Sequence, residues 1–232
     1  MPLLLSLETS THSFSCALHQ DGKLVAFKES LENQTTASLL TVMIDQMFKD
    51  FGFQKDQLNA VIVAAGPGSY TGLRIGVATA KGICYALGVP LISVNTLRLM
   101  FRQFEDYSGF EMDESPALFC PMLDARRMEV YCSMYDSEGN VVLPTHAKVI
   151  DEGSFVEQLE ERLVYFLGEG AKKCKGVIRH QNARFVSEIK PSASYLGVIG
   201  LEKFENNEFE NTDHFEPFYL KDFLIKKPNL IS

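Results

Sequence analysis

The chain has 232 residues, of which 46% are apolar and 22% are charged, and its formal net charge is −8. This is the composition of an ordinary globular protein, and it excludes disordered, collagen-like and disulfide-framed chains. The 30 acidic residues outnumber the 22 basic ones, and an acidic surface repels a phosphate backbone. We therefore expect no strong direct binding of nucleic acid.

The five cysteines are an odd number without a C-x-x-C pair, and four of them lie within apolar runs. Such cysteines behave as small buried hydrophobes, and free thiols are typical of a reducing compartment. The opening residues lack the basic region of a signal peptide, and no apolar run approaches the roughly 20 residues that span a bilayer. These features predict a soluble, cytoplasmic protein with no membrane partner.

The first hundred residues show the order β-β-β-α-β-α-β. Asp21-Gly22 separates two strand-like runs, which is a strong signal for an antiparallel hairpin. Later apolar runs follow helices, as strands in parallel crossovers do. The predicted strands are Leu3–Thr9, Phe14–Gln20, Lys23–Glu29, Ala60–Ala65 and Leu91–Val94. The predicted helices span residues 35–51 and 72–87, where apolar residues recur at helical spacing.

The second half shows a similar order of elements after an acidic connector at Glu105–Glu114. Its predicted strands are Ala117–Leu123, Met128–Tyr135, Asn140–Ile150, Val164–Leu167 and Arg184–Ile189, and its predicted helices are Ser154–Leu163 and Ser192–Phe204. An irregular link separates the last two strands. Two such halves predict an α/β, actin-like (ASKHA) architecture, with subdomains at 1–102 and 103–232 and a nucleotide cleft between them. The alternative is a single mixed sheet with a long excursion.

A glycine-rich loop, A-G-P-G-S-Y-T-G-L-R-I-G at 65–76, leaves a buried strand and enters a helix. Leu73 and Arg74 stand where a P-loop requires Lys and Ser or Thr, and the glycine spacing fits neither the dinucleotide-binding fingerprint nor the hydrolase elbow. The loop is therefore either an unspecific anion site at a helix start or a place where another backbone approaches closely.

Two polar turns follow strands and are candidates for the cleft. In the first, Glu8, Thr9 and Ser10 offer hydrogen bonds to a nucleotide phosphate, although a plain turn explains them equally well. The second, Asp124-Ala125-Arg126-Arg127, is either a polar turn in the cleft or a buried ion pair that closes the hinge. The five histidines stand alone, so we predict no metal site.

Small residues recur every four positions in the second helix, and the first helix has a wide apolar stripe. Gly72, Gly76 and Ala80 form one row of small residues, and Ala78, Gly82 and Ala86 form another. Because glycine costs roughly 1 kcal/mol in a helix interior, a close helix–helix contact would explain it. Packing of both helices onto their own sheet is the alternative.

The basic segment 172–190 is either a solvated face or an RNA contact.

Four motifs together resemble the TsaB (YeaZ) family over nearly the whole chain. These are L-E-T-S at 7–10, the glycine-rich loop at 65–76, D-A-R-R-M-E-V-Y at 124–131 and E-P-F-Y-L-K at 216–221. The family usually has arginine at the position of Lys221. The resemblance implies an actin-like fold of two RNase H-like subdomains, shared with the catalytic subunit TsaD. That subunit attaches threonylcarbamoyl to an adenosine beside the tRNA anticodon.

The resemblance also implies a division of labour. Thr96 and Met100 stand where TsaD has its two metal-binding histidines, so this chain is expected to be a catalytically inert paralogue without the metal centre. It is expected to form a heterodimer with a TsaD-like subunit, to work with the ATPase TsaE, and to pair with itself when that partner is absent. No cofactor is required by the chain itself; ATP or ADP belongs to the partner complex.

The expected interface lies on the first two helices. Its predicted residues are Leu39, Leu40, Met43, Ile44, Met47, Gly72, Gly76 and Ala80. One rival interpretation is an autonomous ATPase or transferase of the actin-like fold, with Glu8 and Asp124 as the acid and base. A peptidase finds no support, because no serine or cysteine has a recognisable catalytic partner and no zinc motif is present.

Overall fold

Two five-stranded mixed sheets organise the described part of the chain, in a computed structural model that covers residues 1–30, 37–107 and 116–220. Most of the predicted connector, the first two residues of the first predicted helix, and Lys221 lie outside these residues. Within the covered ranges, no helix is long and apolar enough to cross a membrane. All five cysteines are free, as predicted, and all are buried, including Cys174, which lies outside the apolar runs.

The first sheet has the strand order β3-β2-β1-β4-β5. Its strands are β1 (Leu3–Glu8), β2 (Phe14–Gln20), β3 (Lys23–Ser30), β4 (Leu58–Ala64) and β5 (Leu91–Val94). The first three are antiparallel, and β4 and β5 run parallel to β1. Asp21 and Gly22 both have positive φ, which matches the twist of a tight hairpin. The predicted hairpin and parallel crossovers are therefore confirmed.

Helices cover both faces of this sheet, because alternate residues of its strands point to opposite sides. Helices α1 (Ala37–Phe51) and α2 (Tyr70–Leu87) pack on the face that carries Leu3, Leu5 and Leu7. Helix α6 (Leu196–Glu205) packs on the opposite face, against Leu4 and Ile62. The contacts of α6 thus lie with the first sheet, although the predicted division at residue 102 places this helix in the second half.

The second sheet has the order β10-β9-β6-β7-β8, which repeats the arrangement of the first. Its strands are β6 (Ala117–Asp124), β7 (Glu129–Tyr135), β8 (Val141–Val149), β9 (Leu163–Leu167) and β10 (Ala183–Val186). Again three strands are antiparallel and two are parallel to the first of them. The alternative of a single mixed sheet is wrong.

Three further helices flank the second sheet. They are α3 (Thr96–Glu105), α4 (Val156–Glu161) and α5 (Glu169–Cys174). Helix α3 packs on one face through Leu97, Met100, Phe101 and Phe104, while α4 and α5 cover the other. Helix α5 lies in the predicted irregular link, and its six residues are too few to show a helical period. Helix α4 and strand β10 are shorter than predicted.

Candidate functional site

The glycine-rich loop is fixed by backbone hydrogen bonds to four other segments. The bonds are Ala65 N to Val94 O at 2.9 Å, Phe218 N to Ala65 O at 2.7 Å, Thr96 N to Gly66 O at 2.9 Å, and Ser69 N to Ser10 O at 2.6 Å. The loop therefore joins the end of β5, the start of α3, the β1–β2 turn and the segment that follows α6.

Two glycines of this loop make these approaches possible. A Cβ at Gly66 would lie 2.6 Å from the Phe218 carbonyl oxygen, and one at Gly68 would lie 2.5 Å from the Ser10 carbonyl oxygen. Gly66 also has a φ of +118°, a backbone conformation that residues with a Cβ rarely adopt. These contacts bear out the interpretation as a close-packing loop.

The turn after β1 is buried beneath α2. Glu8, Thr9 and Ser10 are 1%, 0% and 2% exposed. A Cβ at Gly72 would overlap the Thr9 carbonyl oxygen, and one at Gly76 would overlap the Thr9 hydroxyl oxygen. The three predicted phosphate contacts are thus covered by the chain's own helix. Thr11, His12 and Ser13 are the more accessible residues of this turn.

Glu8 carries a buried carboxyl group whose hydrogen bonds are local. Its two carboxylate oxygens lie 2.7 and 3.2 Å from the backbone nitrogen of Ser10, which donates to them. Burial raises the pKa of Glu8 from 4.5 to about 7, although hydrogen bonds from Ser10 and Thr9 oppose the shift. A carboxyl group sealed in this way has no access to a substrate, which weakens its predicted role as an acid or base.

The predicted interface residues turn out to be core residues, and this corrects their assignment. Leu40, Met43, Ile44, Met47, Gly72, Gly76 and Ala80 are buried, and Leu39 is half-buried against the same core. The apolar stripe of α1 faces β2 and β3, and the first small-residue row of α2 faces the β1–β2 turn. Packing onto the sheet, the alternative interpretation, explains both patterns.

The outer faces of α1 and α2 carry a different set of residues. Val42 is 49% exposed on α1, and Tyr85 is 88% exposed on α2. Ala78, Gly82 and Ala86, the second small-residue row, are also exposed. A Cβ at Gly82 would meet no atom of the described chain within 4 Å. We call Val42, Ala78, Gly82, Tyr85 and Ala86 the outer helix face.

Thr96 and Met100 lie one turn apart on α3, and neither is exposed. Met100 packs in the core beneath the second sheet, next to Gly168. The Thr96 hydroxyl has no hydrogen-bond partner among the described residues. A thioether and a single hydroxyl are poor substitutes for two imidazole ligands. Across the described ranges, no three His, Cys, Asp or Glu side chains are grouped so that they could hold a metal ion.

The turn Asp124–Arg127 is closed by a lysine of α5. Lys173 Nζ lies 2.5 Å from Asp124 Oδ1 and also donates to the carbonyl oxygens of Arg127 and Glu129. The Asp124 side chain is 51% exposed, so the expectation of a buried ion pair at the hinge is wrong. The pair lies within the second half of the chain, between the end of β6 and α5.

The ion pair with Lys173 also affects the pKa of Asp124. Partial burial tends to raise the pKa of Asp124, but hydrogen bonds from Lys173 and the Arg126 N–H outweigh it, so the pKa is lowered overall. Asp124 is therefore a fixed anion rather than a base poised near neutral pH.

In the basic segment 172–190, Lys173 forms hydrogen bonds within the chain, whereas Lys172, Lys175, Arg179 and Lys190 are exposed. The RNA contact predicted there stays a prediction.

Several exposed or cavity-lining residues are absent from the sites predicted from the sequence. Val42 and Tyr85 lie outside the apolar periodicity of their helices, and both are exposed when α1 and α2 pack on the sheet. Arg98 and Ser133 line one cavity but come from separate elements. The phase of the apolar residues, which assigns 40, 43, 44 and 47 to the buried face, could have identified Val42 as an outward residue.

Comparison with known proteins is consistent with the motifs and the topology. Residues 32–224 match the family model described as "TsaD: tRNA N6-adenosine threonylcarbamoyltransferase". The tRNA threonylcarbamoyladenosine biosynthesis protein TsaB of Escherichia coli is 26% identical over 94% of both chains, and that of Bacillus subtilis is 26% identical over 86% of this chain and 87% of its own.

A solved structure shows the same fold. The structure of YeaZ from Pseudomonas aeruginosa superposes with a TM-score of 0.79 at 23% identity, covering 95% of this chain and all of that one. The fold is thus the predicted α/β, actin-like arrangement of two mixed sheets flanked by helices. The four motifs, the family model and these relatives together show that the chain belongs to the TsaB (YeaZ) family, within the wider group of proteins matched by the TsaD model.

Proposed function

We propose that this chain is a non-catalytic subunit in the biosynthesis of threonylcarbamoyladenosine on tRNA, and that it binds and supports a TsaD-like catalytic subunit. The E. coli and B. subtilis relatives carry the name of this pathway. The burial of Thr96 and Met100, at the positions of the expected metal ligands, supports the inert role. The covered Glu8 carboxyl group and the lysine-bound Asp124 are also poor candidates for catalysis.

The main support for the proposed contact is the position of Gly82, where a Cβ would meet no described atom within 4 Å. It lies in the interior of α2, where glycine costs roughly 1 kcal/mol relative to alanine. Gly72 and Gly76 are required by the close approach of Thr9, but Gly82 has no comparable neighbour within the described chain. A partner helix that approaches α2 closely would explain a glycine flanked by Ala78 and Ala86 at four-residue spacing. The exposed Val42 and Tyr85 extend this outer helix face with apolar area.

The remaining parts of the proposal concern the assembly. A TsaE-like ATPase joins the complex, and ATP or ADP is bound there rather than required by this chain. Without the TsaD-like partner, the outer helix face pairs two copies of the chain, since exposed apolar area favours association in water. We place the complex in the cytoplasm. Light scattering of the isolated chain tests the pairing, and a monomer at high concentration would contradict it.

Co-purification of the full-length chain with its TsaD-like partner tests the interface. Gly82→Leu places a bulky side chain on the outer helix face, where a Cβ meets no atom of the described residues within 4 Å, so we expect a folded protein that no longer retains the partner. Gly176→Leu is the matched control, because a Cβ at Gly176 also meets nothing within 4 Å of the described chain. Retention of the partner by the Gly82 variant would remove the interface assignment.

A reconstituted modification assay tests the role itself. Threonylcarbamoyl-adenylate and tRNA are supplied to this chain alone, to the TsaD-like subunit with TsaE, and to all three proteins together. We expect sustained modification only with all three present. Modification by this chain alone would support the rival interpretation as an autonomous transferase, and full activity without this chain would contradict a supporting role.

A further inference from the structure

A cavity of about 310 Å³ lies between the start of α3 and the β7–β8 hairpin, away from the outer helix face. Asn95, Arg98, Ser133, Tyr135 and Thr145 supply its polar lining. Asn95 follows β5 of the first sheet, whereas Ser133, Tyr135 and Thr145 belong to β7 and β8 of the second. The cavity therefore lies where the two halves of the chain meet.

Arg98 brings a positive charge to this cavity. One guanidinium nitrogen donates to the Gly139 carbonyl oxygen at 2.8 Å, and the guanidinium centre lies 5.2 Å from the Phe101 ring and 5.5 Å from the Tyr135 ring. Among the residues that the structure describes, no carboxylate forms an ion pair with it. Because a guanidinium has five N–H donors, most of its hydrogen-bonding capacity remains available.

The hairpin turn is shaped around this guanidinium. Gly139 has a φ of +80°, and a Cβ there would lie 2.7 Å from the Arg98 nitrogen. The acidic residues of the same turn, Asp136 and Glu138, are engaged locally by the side-chain amide of Asn140. Arg98 thus lies close to the hairpin, while the acidic residues of the hairpin form hydrogen bonds within the turn.

Hydroxyl groups add further donors to the cavity. Ser133 is 1% exposed, and its hydroxyl lies near that of Tyr135 but makes no well-aligned hydrogen bond within residues 1–30, 37–107 and 116–220. A buried hydroxyl without a partner costs free energy, so a ligand that accepts its proton is favoured. Thr145 is positioned by Asn95, whose side-chain nitrogen donates to its hydroxyl oxygen at 3.2 Å and leaves the Thr145 O–H free to donate.

We propose that this cavity binds a small organic anion whose carboxylate or phosphate group accepts hydrogen bonds from Arg98 and Ser133. Guanidinium groups recognise both oxyanions well, because their N–H donors match the oxygen spacing. Val141 and Pro144 supply apolar walls for the rest of the ligand. A bound anion would touch residues from both halves of the chain, and it would thereby stabilise their mutual orientation.

NMR titration of the full-length chain tests the proposal with phenyl phosphate, benzoate and inorganic phosphate as probes. Sodium chloride at equal ionic strength is the reference. We expect saturable shifts of the backbone amides of Arg98, Ser133, Gly139 and Thr145, and comparison of phenyl phosphate with benzoate identifies the preferred head group. Arg98→Met should weaken binding by about tenfold or more, the loss expected for a charge-assisted hydrogen bond.

The controls separate lost binding from lost folding. Arg102→Met removes an arginine one turn along α3 that is already paired with Glu105 and Asp106, and it should leave the affinity unchanged. Because Arg98 also stacks on two rings, Ser133→Ala serves as a second variant, with an expected loss of several-fold. The absence of saturable shifts with every probe, or equal binding by the Arg98 variant, would overturn the proposal. These titrations need no partner subunit, so their outcome is independent of the proposed function.

Discussion

The hydroxyl oxygen of Thr9 packs so closely against Gly76 that it would overlap a Cβ there. The Thr9 carbonyl oxygen makes an equally close contact with Gly72, and the two contacts explain why a helix that covers a sheet contains glycine at 72 and 76. Gly82, only six residues later on the same helix, has no such neighbour in the described chain. One helix thus contains two kinds of glycine, one required by the fold and one not.

Alanine substitutions should separate these two kinds of glycine. Gly76→Ala is expected to destabilise the chain by about 1–3 kcal/mol, because the added methyl group must displace Thr9 in a packed interior. Gly82→Ala is expected to stabilise the isolated chain by roughly 1 kcal/mol, since it removes the cost of glycine in a helix and its methyl group meets no described atom within 4 Å. Urea unfolding of both variants gives the free energies. Equal effects of the two substitutions would contradict the distinction.

The local patterns of the sequence were sufficient for the order and pairing of most strands. Asp21-Gly22 identified the first hairpin, and the apolar runs at β4 and β5 identified parallel strands, because both signals are short-range. Helices α3 and α5 were both missed, α5 because six residues show no period. The position of α6 on the first sheet was missed because its contacts with Leu4 and Ile62 join residues far apart in sequence.

The candidate site was harder to predict, because burial depends on which face of an element meets its neighbour. The apolar stripe of α1 and the row Gly72, Gly76 and Ala80 were correctly recognised as packing surfaces. Their partner is the chain's own sheet and turn rather than another subunit. The same limit applies to the cavity around Arg98, whose lining comes from β5, α3, β7 and β8 and shares no motif.

The stability of the protein should fall as the pH rises through the range in which Glu8 ionises. The pKa of Glu8 is raised from 4.5 to about 7, so the folded state binds the proton more tightly than the unfolded state does. The stabilisation is fully present below pH 4.5 and is lost as the pH approaches 7, with a total change of about 3 kcal/mol. Glu8→Gln should therefore match the parent at low pH and exceed its stability by up to that amount at about pH 8.

Urea unfolding of both proteins across this pH range gives the difference curve. Glu161→Gln is the control, because the Glu161 side chain is 72% exposed and its replacement should leave the pH dependence unchanged. A difference between parent and Glu8→Gln that stays constant with pH would show that the Glu8 carboxyl group does not titrate in this range.

His19 should act in the opposite direction at lower pH. Burial lowers its pKa from the ordinary value of 6.5, although the Ser194 carbonyl oxygen opposes the shift. Its Nε2–H donates to that oxygen at 3.1 Å, and its Nδ1 accepts from the Ser6 hydroxyl at 3.0 Å, so the neutral ring is satisfied. The folded state binds the proton more weakly, and the resulting stability is lost as the pH falls below 6.5. NMR titration of the ring should show a midpoint under 6.5, and a midpoint at or above it would contradict this role.

Removal of the lysine side chain at 173 should open the turn Asp124–Glu129. Lys173→Met deletes three hydrogen bonds, to Asp124 Oδ1 and to the carbonyl oxygens of Arg127 and Glu129, from a side chain that is 21% exposed. Because the site is only partly shielded from solvent, we expect a loss of about 1–2 kcal/mol in the free energy of unfolding.

The same substitution should raise the pKa of Asp124, since Lys173 contributes to its lowered value. The exchange of the Glu129 amide proton, which is bonded to the Arg126 carbonyl oxygen, should accelerate. Lys172→Met on the exposed side of α5 is the matched control, and similar exchange rates in the two variants would show that Lys173 does not hold the turn closed.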